Sequence, residues 1–310
     1  MKIVYMGTPD FAVAPLEAII KAGHQVMAVV TQPDKQKGRG KEVQMTPVKT
    51  CAVQYGIPVF QPVKIREPEA VNKLKEYEAD IFVIAAFGQI LSEEILTMPP
   101  LGCVNIHASL LPAYRGAAPI QWAVINGEKE SGVTIMRMEK GIDTGGMYAK
   151  KAVPLTHKET GASLHDKLMQ AGAELIVEAL PKIASGELVP IAQDDSKATH
   201  VGRLDKSMGK IDWGKDADVL ERLIRGLNSW PSAYTTFKGK TLKIWEADVV
   251  AQQGSSIPGT IETVRKDSVD VACGSGILRV YSLQLEGKKR MAVKDFLLGY
   301  TLEPGMVLGN

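Results

Sequence analysis

Two polar residues of complementary chemistry stand two positions apart near the middle of the chain. Asn105 and His107 close the run Cys-Val-Asn-Ile-His. Residues i and i+2 of a strand point to the same side, so we expect the carboxamide and the imidazole to project together. A carboxamide can donate to a developing oxyanion, and an imidazole can move a proton near neutral pH. The pair indicates proton-transfer chemistry, although a histidine that only satisfies backbone groups explains it more simply when it is taken alone.

A carboxylate follows downstream in a turn. Asp143 lies in the sequence Gly-Ile-Asp-Thr-Gly, between two apolar segments. This setting suits a carboxylate that orients a histidine, but aspartate also favours turns because its side chain bonds to nearby backbone. Between His107 and Asp143, residues 110–119 form an apolar loop punctuated by glycine and proline, which is typical of a ligand wall. Taken alone, local capping of the turn is the simpler explanation of Asp143.

The sequence argues against a nicotinamide cofactor and a structural metal. Gly7 follows the first predicted strand, but the residues after it lack the G-x-G-x-x-G pattern. The five histidines show no H-E-x-x-H spacing. Cys51, Cys103 and Cys273 are far apart and odd in number, so they form neither a disulfide framework nor a zinc site. We expect buried cysteines and no metal.

The composition is that of a folded globular chain. Its 310 residues are 45% hydrophobic and 23% charged, which excludes disordered and collagen-like classes. A net charge of +2 is too small for nucleic-acid binding by the whole surface, so a polyanion must be met locally. Residues 35–41 and 288–290 are basic clusters, each explained equally well as a solvated turn. No stretch approaches the roughly 18 apolar residues of a membrane span, so we expect a cytoplasmic protein without a membrane partner.

The residues above must be positioned by a sheet, and the pattern indicates a parallel one. Short apolar runs alternate with stretches of helical period, as in sheets covered by helices on both faces. The predicted strands cover residues 2–6, 25–31, 58–60, 80–86 and 102–106, and the predicted helices cover residues 11–22, 46–56, 67–78 and 161–184. Open sheets of this type bind ligands at the carboxyl ends of their strands, where Asn105 and His107 stand.

The pattern changes in the last third of the chain. Residues 185–205 are polar and broken by glycine and proline. A helix is predicted at residues 217–227, followed by strands at 241–250, 259–264, 268–272 and 277–285. We therefore predict an α/β domain with a doubly wound, mostly parallel sheet (residues 1–189), a linker (190–205), and a small β-barrel of the oligonucleotide/oligosaccharide-binding (OB) type (206–310).

Three motifs closely resemble the signature of the 10-formyltetrahydrofolate-dependent formyltransferase family. They are Asn-Ile-His-Ala-Ser-Leu-Leu-Pro at residues 105–112, Tyr-Arg-Gly-Ala-Ala-Pro at 114–119, and Gly-Ile-Asp-Thr-Gly at 141–145. Further matches cover residues 6–12, 32–34, 38–41, 86–91, 210–213 and 225–231. The chain is similar to this family over nearly its whole length, in numerous matches that keep their order.

The resemblance implies a role for each matching residue. Asn105, His107 and Asp143 match the catalytic trio of the family, whose formyl donor is 10-formyltetrahydrofolate. The implied folate contacts lie in two loops, one with Ser109, Leu110, Leu111 and Pro112, the other with Phe87, Gly88, Ile90 and Leu91. Gln89 departs from the apolar residue expected at its position.

The C-terminal part implies a particular acceptor within the family. It is the methionyl initiator tRNA, formylated for translation initiation by an enzyme that we expect to be monomeric. The loop with Lys37, Arg39 and Lys41 matches the segment that meets the tRNA acceptor stem, and Lys288, Lys289 and Arg290 are expected to touch backbone phosphates. The alternatives are a formyltetrahydrofolate hydrolase, a glycinamide ribonucleotide or sugar-nucleotide formyltransferase, and, outside enzymes, an RNA-binding protein with a decayed enzyme domain.

Overall fold

The chain forms two compact units. The computed structural model describes residues 1–37, 42–251 and 257–309. The first unit comprises Met1–Pro119, Glu130–Pro154 and His165–Val201, and the second comprises Ile120–Lys129, Leu155–Leu164 and Gly202–Asn310. Two stretches from the middle of the sequence thus belong to the second unit, and the domain boundaries expected from the sequence stay a prediction.

The first unit is organised around a seven-stranded sheet. The strands of the unit are, in chain order, β1 (Lys2–Gly7), β2 (Gln25–Val30), β3 (Lys35–Lys37), β4 (Glu42–Gln44), β5 (Val59–Phe60), β6 (Ile81–Ala85), β7 (Cys103–His107), β8 (Arg115–Gly116), β9 (Glu130–Arg137), β10 (Met147–Pro154) and β11 (His200–Val201). The main sheet has the order β10-β9-β7-β6-β1-β2-β5, in which β9 runs antiparallel to its neighbours β7 and β10 and all other neighbouring strands are parallel. The predicted doubly wound, mostly parallel sheet is confirmed.

Helices connect these strands. The helices α1 (Val13–Lys21), α2 (Pro47–Gln54), α3 (Pro68–Lys75) and α4 (Glu93–Leu96) lie in the first unit, whereas α5 (Pro119–Ile125) and α6 (Gly161–Ala184) belong in part to each. Thr46 caps α2 by accepting from the Lys49 amide at 3.2 Å, and Pro47 is the first helical residue, which agrees with the predicted start of this helix at residue 46. α1 begins later than predicted because Asp10–Ala12 forms a 3-10 turn.

The centre of the main sheet is apolar on both faces. Residues 3–6 of β1 are fully buried, and β6 is buried along its whole length. Because β2 and β5 lie on one side of β1 and β6 and β7 on the other, the strand order reverses beside β1 and β6. The loops after these strands meet there, since the Thr8 hydroxyl donates to the Phe87 carbonyl at 3.0 Å. Such a reversal point is where doubly wound sheets bind their ligands.

The second unit is mainly antiparallel. Its elements include α7 (Ala217–Gly226), β12 (Ala233–Phe237), β13 (Lys240–Ala251), β14 (Ile261–Val264), β15 (Val269–Ala272), β16 (Ile277–Leu285), β17 (Met291–Ala292) and α8 (Val293–Phe296). Over the described residues the strands follow the order β12-β13-β16-β15-β14, with β17 beside β16. Leu220 and Ile224 of α7 share the core with Trp213 and Phe296. The predicted β-rich second part is confirmed, while β12 was not among the predicted strands.

The cysteines are buried and free, as predicted. Burial raises the pKa of the Cys103 and Cys273 thiols to about 12, so both stay protonated near neutral pH. Among the described residues, no group of three or more His, Cys, Asp or Glu side chains is arranged to hold a metal ion. None of the helices in that part of the chain combines the length and the apolar character that crossing a bilayer requires.

A buried carboxylate joins two strands of the second unit. Asp270 on β15 is 4% exposed and accepts hydrogen bonds from Arg279 Nε at 2.6 Å and Arg279 Nη2 at 2.9 Å. Arg265 Nη2 also donates to it, at 3.2 Å. Burial by itself would raise the pKa of Asp270, but the two guanidinium groups outweigh burial and hold that pKa below its usual value.

Replacing Asp270 by asparagine should lower the free energy of unfolding by about 2–3 kcal/mol at neutral pH, because charge-assisted hydrogen bonds are lost in a buried position. The pKa in the folded state lies below the unfolded value of about 4. The contribution is therefore complete above about pH 5 and is lost as the pH falls through the folded pKa. Urea unfolding at about pH 7 and about pH 3.5 measures the free energies of unfolding of wild type and variant, and their difference should be smaller at about pH 3.5.

Asp267→Asn is the matched control for this experiment, because Asp267 is an exposed carboxylate in the turn before β15. It should change the free energy of unfolding by less than about 0.5 kcal/mol at either pH. If wild type and Asp270→Asn differ in free energy of unfolding by the same amount at both pH values, the Asp270 charge does not stabilise the fold as described.

Candidate active site

The predicted pair Asn105 and His107 lies at the carboxyl end of β7. This strand runs parallel to β6, with Ile84 opposite Asn105, and antiparallel to β9, with Thr134 opposite His107. Asn105 is half-buried, whereas His107 is 6% exposed. Within the described part of the chain the Asn105 carboxamide makes no hydrogen bond, so its NH₂ group is available to a ligand.

The His107 ring is held in one orientation by a backbone carbonyl. Nε2 lies 3.0 Å from the Tyr114 carbonyl oxygen, and Nδ1 lies 3.7 Å from Asp143 Oδ2. A carbonyl oxygen can only accept, so Nε2 must carry the proton of this hydrogen bond. In the neutral ring Nδ1 is then the nitrogen with the lone pair. The basic nitrogen of His107 therefore faces the carboxylate of Asp143.

Asp143 is presented by the turn between β9 and β10. Its φ of +53° lies in the left-handed region, which aspartate tolerates better than most residues. Its Oδ2 accepts a hydrogen bond from the Gly116 amide at 2.8 Å. Gly145 must be a glycine, because a Cβ there would lie 1.9 Å from the Arg137 carbonyl oxygen. The structure thus brings His107 and Asp143 together, with Asn105 on the same strand as His107.

The loop of residues 109–112 is stabilised by hydrogen bonds within the loop region and to Thr134 of β9. The Ser109 hydroxyl donates to the Ala113 carbonyl at 2.7 Å, and Thr134 Oγ1 donates to the Ser109 carbonyl at 2.7 Å while accepting from the Leu111 amide at 3.1 Å. Ser109 and Leu111 are buried, and Leu110 and Pro112 are half-buried. The side chains of Ser109 and Leu111 are buried in the protein. A ligand can therefore contact the backbone of this loop and the half-buried side chains of Leu110 and Pro112.

The side chain of Lys150 supports the same loop, since its ammonium donates to the Leu111 carbonyl. Burial lowers the pKa of Lys150. This contact holds the loop from the side of β10, so the loop is fixed both by its own polar groups and by the neighbouring strand.

The second predicted folate wall follows β6 at the reversal point of the sheet. Phe87 and Leu91 are buried, Ile90 is 69% exposed, and Gly88 has a φ of +84°. The Gln89 side chain accepts from the Ile65 amide at 2.7 Å and donates to the Pro62 carbonyl at 3.0 Å. The unexpected glutamine therefore braces the loop through backbone groups.

Residues outside the predicted set hold these loops in place. Arg115 is 4% exposed and donates to Gln193 Oε1 from Nε at 3.0 Å and to Asp195 Oδ1 from Nη2 at 2.7 Å. Thr199 Oγ1 accepts from the Tyr114 amide at 2.7 Å. Arg115 lies within the Tyr-Arg-Gly motif, which could have drawn attention to it. Gln193 and Thr199 lie in residues 190–205, where no period or motif marks them.

The predicted tRNA residues fall into two groups. Arg39 and Lys41 lie outside the described residues, and Lys37 ends β3. The other group, Lys288, Lys289 and Arg290, is exposed in the connection from β16 to β17.

An aromatic ring that the sequence analysis did not single out stands beside this second group. The Arg290 guanidinium lies 5.2 Å, and the Lys243 ammonium 5.6 Å, from the centroid of the Trp245 ring. The Lys-x-Trp spacing on β13, which places both side chains on one face of the strand, is the signal that could have identified this cationic and aromatic cluster.

Comparisons with known proteins show the family to which the chain belongs. The profile of the formyl transferase family matches residues 1–180, and that of the formyl transferase C-terminal domain matches residues 203–301. The methionyl-tRNA formyltransferase of Agathobacter rectalis is 55% identical over 98% of this chain and 98% of its own, and that of Lachnospira eligens is 53% identical over 100% of both. The chain belongs to the methionyl-tRNA formyltransferase family.

The match to this formyltransferase family covers the whole trio, since Asn105, His107 and Asp143 all lie within residues 1–180. A solved structure supports the fold. The N-formyltransferase from Helicobacter canadensis, in complex with folinic acid and dTDP-3-aminofucose, superimposes with a TM-score of 0.67 at 19% identity, over 94% of this chain and 100% of the other.

Gly116→Ala should impair the formyltransferase site without weakening substrate binding. A Cβ at Gly116 would lie 2.4 Å from the Val201 carbonyl oxygen, and φ there is +103°. The variant must therefore move the amide that donates to Asp143 Oδ2. We expect kcat to fall about 10–100-fold with KM values within about twofold, as measured by steady-state kinetics. Gly202→Ala, whose Cβ would meet no atom of the described residues within 4 Å, should leave both constants unchanged. Full turnover by Gly116→Ala would show that the amide does not position Asp143.

Proposed function

We propose that the protein transfers the formyl group of 10-formyltetrahydrofolate to the α-amino group of methionyl initiator tRNA. The product, formylmethionyl-tRNA, serves translation initiation. The observation that carries the proposal is the 3.7 Å separation of His107 Nδ1 from Asp143 Oδ2, with His107 on the same strand as Asn105, whose carboxamide makes no hydrogen bond among the described residues. Full-length similarity to methionyl-tRNA formyltransferases supports the acceptor, and the folinic acid in the related Helicobacter canadensis complex supports a folate donor.

His107 supplies the base that an amine nucleophile needs. The amine attacks the formyl carbon in its neutral form, and its nitrogen must lose one proton once the new bond to carbon has formed. Because the Tyr114 carbonyl keeps the proton on Nε2, Nδ1 is the nitrogen that takes the proton of the amine. The same nitrogen can return that proton to N10 of the folate when the old bond breaks. Asp143 stabilises the imidazolium that exists in between.

Asn105 stabilises the formyl oxygen while it carries charge. When the amine nitrogen bonds to the formyl carbon, an electron pair moves onto the oxygen, and it returns when the bond to N10 breaks. Asn105 and His107 share one face of β7, so the donor and the base are directed toward the same carbon. Removing one donor of this kind typically costs about 10²–10³ in rate.

The two loops at the carboxyl edge of the sheet form the proposed folate pocket. One contains Phe87, Gly88, Ile90 and Leu91, and the other contains Ser109, Leu110, Leu111 and Pro112. Because β6 and β7 are adjacent and parallel, both loops leave the sheet at the same edge. Apolar walls with a few fixed backbone polar groups suit a flat heterocycle such as the pterin of the donor.

The tRNA contacts are proposed in the two basic clusters. Lys37, Arg39 and Lys41 would meet the acceptor stem, and Lys288, Lys289 and Arg290 would meet backbone phosphates. A ring flanked by two cations, as Trp245 is by Lys243 and Arg290, combines the stacking and charge that nucleic acids require. The charged initiator tRNA as substrate supports a cytoplasmic protein, and we propose that it acts as a monomer.

Incubation with 10-formyltetrahydrofolate and methionyl initiator tRNA should yield formylmethionyl-tRNA, detected by acid gel electrophoresis. Asn105→Ala should lower kcat about 10²–10³-fold with little change in folate affinity, because it removes the oxyanion donor. Asn105→Asp tests the same point with a side chain of equal size that lacks the NH₂ group. Normal turnover by both variants would refute the role of Asn105.

Two further incubations separate the enzyme from its alternatives. With buffer in place of tRNA, the transferase should release little formate, whereas a hydrolase would release it at full rate. If neither formylated tRNA nor formate forms, the proposed function is wrong, and the protein is a formyltransferase with another acceptor or a binding protein.

The double variant Lys288→Ala and Lys289→Ala should weaken tRNA binding in a salt-dependent manner. Each lost phosphate contact should reduce the slope of log K against log salt concentration by about one. Filter binding between about 50 and 200 mM salt measures this slope. Lys294→Ala, an exposed lysine on α8, is the matched control and should leave the slope unchanged. An unaltered slope in the double variant would exclude this cluster from the tRNA interface.

A further inference from the structure

Residues 190–201, here called the bridging segment, run across the first unit beside the proposed site. At the start of the segment, the backbone of Ile191 pairs with that of Met147, at 2.8 and 2.9 Å. At its end, β11 pairs in parallel with β8, with Val201 opposite Gly116. The bridging segment is thus attached on one side to the Asp143 turn and on the other to the loop that carries Tyr114.

One side chain of this segment makes its contacts with the turn itself. Gln193 Nε2 donates to the carbonyls of Asp143 and Gly145, each at 2.8 Å. Gln193 Oε1 accepts from Arg115 Nε at 3.0 Å and from Arg115 Nη2 at 2.9 Å. Both amide hydrogens and the amide oxygen are therefore used, which is the full capacity of the group. Gln193 is half-buried, whereas its neighbours Ala192 and Asp194 are exposed.

The partner on the other side of the amide is rigid. Arg115 is 4% exposed, and its backbone amide donates to the Thr199 carbonyl at 2.8 Å. A buried guanidinium is costly to leave unpaired, so the Arg115 to Gln193 contact resists breaking. Gln193 therefore links the Asp143 turn by hydrogen bonds to the buried guanidinium of Arg115.

The Asp143 turn requires contacts that hold its conformation. Asp143 adopts a left-handed φ of +53°, a conformation that persists only when its surroundings impose it. The connection from β9 to β10 carries the carboxylate on an otherwise exposed turn, since residues 139–141 are exposed and Ile142 is 65% exposed. Displacement of this turn by about 1 Å would alter the distance between the carboxylate and the His107 ring, and misplacement of this size can cost about 10²-fold in rate.

We propose that Gln193 is a positioning residue for formyl transfer. Its amide holds the Asp143 turn against Arg115, so that Asp143 Oδ2 stands opposite Nδ1 of His107. Thr199 completes the arrangement from the same segment, because it accepts from the amide of Tyr114, whose carbonyl holds the other side of the His107 ring. This inference rests on the proposed function and assigns part of its rate to residues outside the catalytic trio.

The inference predicts an effect on turnover and not on binding. Gln193 bonds to carbonyls on the protein and makes no bond that a substrate would replace. Gln193→Ala should therefore lower kcat about 10–100-fold, with the KM for the folate and for the tRNA within about twofold of wild type. A comparable rise in either KM at normal kcat would overturn the inference.

Gln193→Glu separates positioning from simple anchoring. Glutamate has the same size and still accepts from Arg115, but it has no NH₂ group to donate to Asp143 and Gly145. If the amide positions the turn, the Glu variant loses kcat as the Ala variant does, while its thermal unfolding midpoint stays near that of wild type. If Gln193 only anchors the segment to Arg115, the Glu variant keeps full kcat, and the inference is wrong. The Glu variant also decides the question if the Ala variant does not fold.

Ser196→Ala is the matched control on the same segment. Ser196 bonds only to Asp194 among the described residues and is exposed, so kcat and KM should stay at their wild-type values. The wild-type reaction keeps the two proposals apart. If wild type forms no formylmethionyl-tRNA, the proposed function fails; if wild type is active and Gln193→Ala and Gln193→Glu are equally active, only the role of Gln193 fails.

Discussion

The imidazole of His107 is held by one backbone carbonyl, that of Tyr114, 3.0 Å from Nε2. This hydrogen bond decides which nitrogen carries the proton, and so which nitrogen can act as a base. It also turns Nδ1 toward Asp143, since the two nitrogens lie on opposite sides of the ring. The chemistry proposed for the protein therefore depends on where the loop after β7 places the carbonyl of residue 114.

Placing that carbonyl requires an unfavourable backbone. Tyr114 has a φ of +61° and Asp143 a φ of +53°, and left-handed residues other than glycine cost about 1–3 kcal/mol each. The surrounding residues impose these two conformations because they leave Tyr114 and Asp143 no room to relax. Gly116 and Gly145 approach backbone carbonyls so closely that no side chain fits, and the buried Arg115 donates hydrogen bonds to Gln193 and Asp195 of the bridging segment. The site is thus assembled from loops that would not keep their shape if they were isolated.

Much of the fold could be predicted because it follows from local patterns. The buried strands β1 and β6 are continuous apolar runs, Thr46 and Pro47 are a typical helix start, and the period of two put Asn105 and His107 on one face. β9 was missed because polar Ser131 and Thr134 are buried within it, which interrupts the apolar run. Its place in the sheet is set by pairing with a distant strand.

The bridging segment could not be found in this way for a different reason. Gln193 and Thr199 recognise backbone groups, which every residue has, so their partners leave no mark on the sequence. Gln89 is similar, since its amide bonds to the backbone at Pro62 and Ile65. Side chains that pack on each other or cap their own helix produce periods and local motifs, whereas side chains that bond to main chain distant in the sequence produce neither.

The chain order of the first unit has a consequence for protein synthesis. The bridging segment is the last part of this unit to leave the ribosome, well after the strands that form its sheet. Translation adds about 5–20 residues per second, and chains fold from the amino end. The strands of the sheet are therefore synthesised some seconds before Gln193 is available to contact the Asp143 turn. If Gln193 has the proposed role, an incomplete polypeptide that ends before residue 190 contains the trio and the sheet without being a competent enzyme, and activity is gained only late in synthesis.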